Sequence, residues 1–323
     1  MFKCPKCNNS IYNNKCIKCN YEIKIINGVM FFTNEDNINL DEDNKYIGYD
    51  EINLDFDPAI IYYGEDLYGI YGACGEDIAN RFSKEIVVLD LGCGLGSACI
   101  PLANAGVKTI GIDISKEMLF YTNKRSKGNL DNLILCKMNA YNLLLEDESI
   151  DIVIENAMIH LVDNPEAVYK EIYRVLKPNG KLIHYKTVGC NTTEEQKELS
   201  RICNEAVSDI SDFYYNTLKE YGYIPNVFNN NSLEFENKYF NLLNTEEYNI
   251  VLYYEEEFTD KMKFRMHRLE HKAHSDLQHI PNEIHKLVWD KTNLYAISKY
   301  GFNYKDMKCY FKYHAAYCIL MKK

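Results

Sequence analysis

The sequence predicts an α/β protein built on a largely parallel sheet, and three observations carry that expectation. Short β-branched runs alternate with stretches of helical spacing from Ile86 onward. A turn holding three glycines separates the first run from the first of those helices. Downstream, the string RVLKPNGKLIHY ends a helix and opens a further strand.

The first unit spans Ile86 to Asp113, IVVLDLGCGLGSACIPLANAGVKTIGID. Ile86 to Leu91 reads as a strand buried on both faces. Gly92, Gly94 and Gly96 then turn the chain into a helix expected to start near Ser97. With no Cβ in the way a ligand can approach there, and the N–H groups at the helix start face outward. Val107 to Ile112 reads as a second strand ending in Asp113, a carboxylate suited to the hydroxyls of a ribose. Strand, turn, helix, strand and acid make a unit that can hold a nucleoside. The dinucleotide pattern G-x-G-x-x-G would need glycine at 97, where Ser97 stands. The pattern is instead Asp90-x-Gly92-x-Gly94-x-Gly96, which resembles the first motif of the class I S-adenosylmethionine-dependent methyltransferases. The resemblance implies a Rossmann-like sheet of seven strands. It also implies a turn lying along the methionine part of the cofactor and Asp113 on its ribose.

Composition bounds the rest. A chain of 323 residues, 46% apolar, can bury one large domain with an accessory piece. No run approaches the length of a membrane span, and the start MFKCP is not a signal peptide, so the expectation is a cytoplasmic protein. Twelve cysteines, four of them clustered at the start, fit a reducing compartment better than a disulfide scaffold. The net charge of -11 argues against a large sequence-independent grip on nucleic acid. Residues 1–32 run the other way, with five lysines against Glu22 alone.

Cys4-x2-Cys7 and Cys16-x2-Cys19 form two knuckles within residues 1–33, each followed by a short β-like stretch, Ile11-Tyr12 and Tyr21 to Ile26. Four thiolates suit a closed tetrahedral zinc site of structural character, and a segment so short needs such a staple. CIKCNYEIKIINGVMFF resembles zinc ribbons of the Trm112-like type, which are often fused to methyltransferase domains. Residues 34–57 are acidic and rich in Asn, and read as a linker or arm; Tyr46 and Tyr49 there are candidates to lie over the cofactor, with ordinary packing the commoner role. Residues 58–323 then form the catalytic domain, approached through helical stretches at Asp57-Pro58 and Glu65 to Phe82.

Ser115 is placed to cap a helix running to about Lys127, and Leu133 to Met138 reads as the third strand. Asn139-Ala140 follows where the family usually carries Asp-Ala beside the adenine; an Asn carbonyl can still accept from the adenine amino group, without charge. Ile150 to Ile154 reads as the fourth strand, with Glu155-Asn156-Ala157 at its carboxyl end, where open α/β sheets place ligands. In the family this turn faces the methionine end of the cofactor and the acceptor, which makes Asn156 a cofactor residue. His160 is the candidate general base, an imidazole titrating near neutrality, against the equal alternative of a packed histidine. Asn164-Pro165 opens a helix with Val168, Ile172, Val175 and Leu176 on one face; LKPNG stops it and Leu182 to Tyr185 forms the fifth strand.

Thr192-x-x-Glu195 reads as a capping box opening a long helix with Leu199, Ile202, Ala206, Ile210 and Phe213 on its buried face. Asn249 to Tyr254 and Ala315 to Met321 read as strands; the family resemblance implies that they are the last two, the final one antiparallel and inserted beside its predecessor. Between them lies a helical insertion at about 258–301, a candidate substrate lid with His267, His271, His274, His279 and His285. The first three fall at i, i+4 and i+7, with Glu270 assigned to another face; a pocket for a polar substrate or a solvated face outweighs metal ligation. HKAHSDLQHIPNEIHKL resembles lid segments of UbiE-like and type 11 methyltransferases.

The family resemblance implies methyl transfer from S-adenosylmethionine to a small-molecule acceptor, by in-line displacement. Asp90, Gly92, Gly94, Gly96, Asp113, Asn139, Ala140 and Asn156 would surround the cofactor, and Cys4, Cys7, Cys16 and Cys19 the zinc. Transfer to ribosomal or transfer RNA held by the ribbon is the runner-up, weakened by the charge and by ENAM in place of an Asn/Asp-Pro-Pro-Tyr/Phe motif. A third possibility is a scaffold that binds the cofactor without turnover. Arsenite methylation is disfavoured by the scatter of the remaining cysteines.

Overall fold

The computed structural model describes residues 1–33, 69–127, 131–156, 158–189, 192–225, 232–242, 251–258 and 261–323. The expectations for Tyr46, Tyr49 and Asp57-Pro58 lie outside these residues. The chain opens with two small hairpins, β1 (Ile11–Tyr12) with β2 (Lys15–Cys16), and β3 (Lys24–Ile26) with β4 (Val29–Phe31). Asparagines make their tight turns: Asn13, Asn14 and Asn27 have φ of 46°, 62° and 47°, a left-handed conformation Asn tolerates better than most residues.

The central part alternates helix and strand. Its elements are α1 (Gly69–Phe82), β5 (Val87–Leu91), α2 (Cys99–Asn104), β6 (Lys108–Asp113), α3 (Lys116–Arg125) and β7 (Leu133–Lys137). They continue through β8 (Ile150–Glu155), α4 (Pro165–Val175) and β9 (Leu176–Gly189). Ser115 caps α3 by accepting from the Met118 N–H, as its sequence position predicts. Then come α5 (Glu194–Glu220), α6 (Ser232–Tyr239), β10 (Phe240–Leu242), β11 (Val251–Phe258), α7 (Lys261–Glu270), α8 (Asn282–Tyr300) and β12 (Phe311–Lys322). None of the described helices is long and apolar enough to cross a membrane.

Ten strands form one sheet in the order β10-β12-β9-β8-β5-β6-β7-β4-β3, with β11 also paired to β12. β5 to β9 run parallel, and β12 lies antiparallel between β9 and β11, the reversed final strand the sequence predicts. Seven strands are expected; β10 and the second N-terminal hairpin account for the rest. β4 runs parallel beside β7, with Val29, Met30 and Phe31 opposite Leu135, Cys136 and Lys137. A Val-Met-Phe strand buried along its whole length cannot stand in water, so the cysteine module is built into the main sheet.

Alternation along β5 sorts the core. Leu89 and Leu91 face one layer with Ile110, Ile112, the Val168, Tyr169, Ile172 and Val175 face of α4, and Phe2, Met30 and Phe32 of the N-terminal module. Val88 faces the other with Ile78, Leu102, Ile152, Ile154 and Tyr317. A separate cluster joins α5, α7 and α8 through Ile210, Tyr214, Met262, Met266, Leu269, Val288 and Trp289. A disulfide links Cys203 on α5 to Cys309, so the cysteines are not all reduced thiols as expected.

Three local expectations are corrected. β9 starts at Leu176 and runs through LKPNG, a register shift opposite Ile150 and Ile152 absorbing the irregularity. The α5 cap is Thr193, one residue on: its side chain accepts from Gln196 N–H (3.2 Å) and Gln196 Oε1 accepts from Thr193 N–H (2.8 Å). The buried face of α5 turns accordingly to Cys203, Ala206, Ile210, Tyr214 and Leu218, leaving Leu199 and Ile202 exposed. Glu270 shares the face of His267 and His271, since i, i+3 and i+4 are neighbours on a helix, and the donor atoms of all three lie within 4.8 Å of one another. His274 lies beyond the end of α7.

Candidate cofactor rim and cysteine knuckles

Because β8, β5, β6 and β7 are adjacent and parallel, their carboxyl ends form one rim. Along it stand Asn156 after β8, the Gly92–Gly96 turn after β5, Asp113 closing β6, and Asn139-Ala140 after β7. All the sequence-predicted cofactor positions except buried Asp90 therefore lie side by side on this rim. Backbone bonds fix it: the N–H groups of Gly92 and Cys93 both reach Ile112 O (2.8 and 2.9 Å), and Met138 N–H reaches Asp113 O (3.1 Å).

The glycines differ in what they face. A Cβ on Gly92 would fall 2.6 Å from Met158 Cγ, so this glycine is needed for packing as well as for its φ of 72°. At Gly94 (φ 49°) nothing lies within 4 Å of where a Cβ would be, so backbone there is open to an approaching molecule. Asp113 accepts from Gly94 N–H through Oδ2 and from Ser115 N–H through Oδ1, both at 2.9 Å, and holds the turn to the helix beyond. Asn139 Oδ1 accepts from Tyr141 N–H (3.0 Å), and Tyr141 O–H donates to Asp163 (2.7 Å), tying this loop to the start of α4.

Asp90 sits beneath the turn rather than on it. It is buried, and its Oδ2 accepts from Cys99 N–H at the start of α2 (3.0 Å). Burial pushes its carboxyl up to about 7; the Cys99 bond opposes this and the Asp113 charge adds to it. His160 lies on a 3-10 turn, Ile159–Leu161, facing solvent. Desolvation by neighbouring chain lowers its pKa from the usual histidine value, with the Glu155 charge opposing.

One group of site residues escaped the sequence reading. At the end of β8, Glu155 Oε1 accepts from the N–H groups of Met158 and Ile159 (2.8 and 2.9 Å), and Oε2 pairs with His184 Nδ1 on β9 (2.9 Å). Both residues are buried, and Glu236 on α6 stands 3.8 Å from His184 Nε2 while accepting from Tyr169 O–H (3.0 Å). Burial alone would raise the Glu155 carboxyl, yet His184 and the two N–H groups bring it below its ordinary value. The available signal was register: Glu155 and His184 are direct neighbours across two parallel strands, which spacing in the sequence does not reveal.

Cys4, Cys7, Cys16 and Cys19 converge as the spacing predicts. Cys4 Sγ lies 3.5 Å from Cys19 Sγ, and Cys7 Sγ 3.5 Å from Cys16 Sγ. Four thiolates about 2.3 Å from zinc stand roughly 3.8 Å apart in a tetrahedron, so this donor set fits the ion with little adjustment. Lys6 N–H approaches Cys4 Sγ at 3.4 Å and Asn9 Nδ2 approaches Cys7 Sγ at 3.6 Å, donors that stabilise thiolate charge.

The methyltransferase domain family matches residues 82–288, more than half of the chain. The chain belongs to that family. The match holds the whole cofactor rim and ends within α8. Demethylmenaquinone methyltransferase of Lactobacillus johnsonii is 40% identical over 114 residues, 32% of this methyltransferase chain and 47% of that protein. Arsenite methyltransferase of Halobacterium salinarum is 31% identical over 144 residues, 43% of this chain and 35% of that one. The chain spans less than half the length of the first curated relatives it matches. Among solved structures, phosphoethanolamine N-methyltransferase 2 of Haemonchus contortus, in complex with S-adenosyl-L-methionine, is 18% identical with a TM-score of 0.43, covering 83% of this chain and 56% of that one.

Proposed function

We propose that this methyltransferase transfers the methyl group of S-adenosylmethionine to a small-molecule acceptor. The carrying observation is the rim at the ends of β8, β5, β6 and β7, where Gly94 leaves backbone open beside the Asp113 carboxylate. S-adenosylmethionine supplies an electrophilic methyl on a sulfonium, so the protein's main task is alignment. In this reading the Gly92–Gly96 turn carries the methionine part, Asp113 the ribose, Asn139 and Ala140 the adenine, and Asn156 the methyl-bearing end. Asp90 acts from below by holding Cys99 and with it the turn. His160 takes the acceptor proton where the acceptor has one to lose; its lowered pKa keeps the imidazole neutral and able to accept at neutral pH. The helices α7 and α8 form the lid over the acceptor. Zinc on the four N-terminal thiolates is structural in a Trm112-like ribbon.

The test is calorimetric titration of zinc-loaded protein with S-adenosylmethionine and S-adenosylhomocysteine, followed by labelled-methyl transfer into metabolite extracts. Asp113→Ala is expected to weaken both ligands more than about tenfold, or 1.4 kcal/mol. Gly92→Arg is expected to abolish binding and to lower the melting temperature, because of Met158. Absence of saturable binding by folded wild-type protein refutes the reading, and binding without transfer to any acceptor favours a scaffold. RNA is the second reading, favoured by exposed Tyr12 and Ile17 beside Lys15 and Lys18 on the ribbon. It requires RNA affinity that falls steeply between low and moderate salt.

A further inference from the structure

The C-terminal helices carry a cluster of metal-ligating side chains that the cofactor rim does not use. His267, Glu270 and His271 project from the last turn of α7, and the His271 N–H still donates to His267 O (3.0 Å), so helical geometry persists through all three. Their donor atoms lie within 4.8 Å of one another, and the two imidazole rings are 4.2 Å apart. Ligands about 2.0–2.1 Å from zinc stand roughly 3.3 Å apart in a tetrahedron. Small side-chain rotations close the difference.

We propose that His267, Glu270 and His271 form a second metal site, for a divalent transition ion of the Zn2+ type, distinct from the cysteine knuckles. Two imidazoles and a carboxylate form a three-ligand set that leaves a position open, unlike the closed thiolate site. The open side meets a cleft of about 440 Å³ whose lining includes His267, Glu270, Asn293, Asn303 and Asp306, so water or an oxygen-bearing ligand can complete the shell. The turn is held from behind. Met262, Met266 and Leu269 are buried in the cluster of α5, α7 and α8 and anchor α7 there. His285 Nε2 donates to Glu270 O (2.9 Å) while its Nδ1 accepts from Tyr214 O–H (2.6 Å), a pairing that fixes a neutral tautomer. Lys305 Nζ holds Glu270 Oε2 at 2.7 Å, orienting the carboxylate and leaving Oε1 for the ion. The same lysine places a positive charge near the site and limits its affinity. His274 is not part of the set: it lies beyond the end of α7 and outside the group of donor atoms that converge.

The experiment uses the full chain carrying one equivalent of zinc, with Zn2+ titrated by calorimetry and metal content measured after gel filtration. A second equivalent is expected to bind. His267→Asn and His271→Asn are each expected to weaken it more than about a hundredfold. Glu270→Gln, which keeps the side-chain shape, is expected to weaken it at least about tenfold. Lys305→Ala is expected to tighten it, an outcome that nonspecific histidine binding does not produce. His279→Asn serves as the unaffected control. The proposal fails if zinc-replete protein takes up no second ion, or if the second ion binds the His267→Asn/His271→Asn double variant as tightly as wild type. Neither result depends on S-adenosylmethionine binding, which is measured separately.

Discussion

A carboxyl group buried under a turn at the cofactor rim makes folding sensitive to pH near neutrality. Asp90 titrates near 7 in the folded protein, against 3.8 for an ordinary aspartate. Between these values the native state binds more protons than the unfolded chain, so stability falls as pH rises from about 4 to 7, and the penalty is complete above 7. The displacement corresponds to about 4 kcal/mol at most. Asp90→Asn is expected to remove this slope; the check is denaturant unfolding of both proteins between pH 4.5 and 8, read as the difference between them. Glu155 acts with opposite sign, its lowered pKa contributing stability that is lost only as pH falls below the ordinary glutamate range. At this scale the sequence was informative about identity and silent about role. It marked both Asp90 and Asp113 as cofactor acids, the first because it leads the glycine motif and the second because it closes the following strand. Only burial separates the carboxylate under the turn from the one on the rim.

The elements of the central sheet were readable because each carries its own signal. A β-branched run means a strand, Ser115 or Asn164-Pro165 starts a helix, and a Val168, Ile172, Val175 face packs against the sheet. What required tertiary context was not. Val29 to Phe31 draws no reading of its own as a strand, and nothing local says that it runs parallel to a strand a hundred residues later. Two adjacent threonines both satisfy a capping pattern, and the face of α5 that is buried is chosen by packing against α7 and α8 rather than by the cap. The β4–β7 pairing carries a prediction of its own. Phe2, Met30 and Phe32 belong to the core of the main sheet, so loss of an ion held by the knuckles is expected to be felt there and not in the knuckles alone. Stripping the metal from thiol-reduced protein is expected to lower the melting temperature of the whole sheet by roughly 3–5 °C, about 2–3 kcal/mol for a chain of this size. Differential scanning calorimetry with and without chelator reads it, and an unchanged main transition would show the module to be energetically separate.

At the scale of the molecule, the sheet layers and the cluster of α5, α7 and α8 form distinct buried cores. The Cys203–Cys309 bond closes a 106-residue span around the second of them. Reduction is expected to cost that cluster about 2–4 kcal/mol. Hydrogen exchange is the measurement, with protection lost first in α5 and α8 while β5, β6 and β8 stay protected. The order of strands in that sheet bears on any attempt to dissect the protein. A chain trimmed at residue 34 would uncover the edge of β7 along Leu135, Cys136 and Lys137, the three residues that β4 covers, with their outward N–H and C=O groups left unpaired. A bare strand of that kind is a template for another copy. The trimmed protein would pair with itself along β7, and the cysteine module thereby acts as the molecule's guard against aggregation.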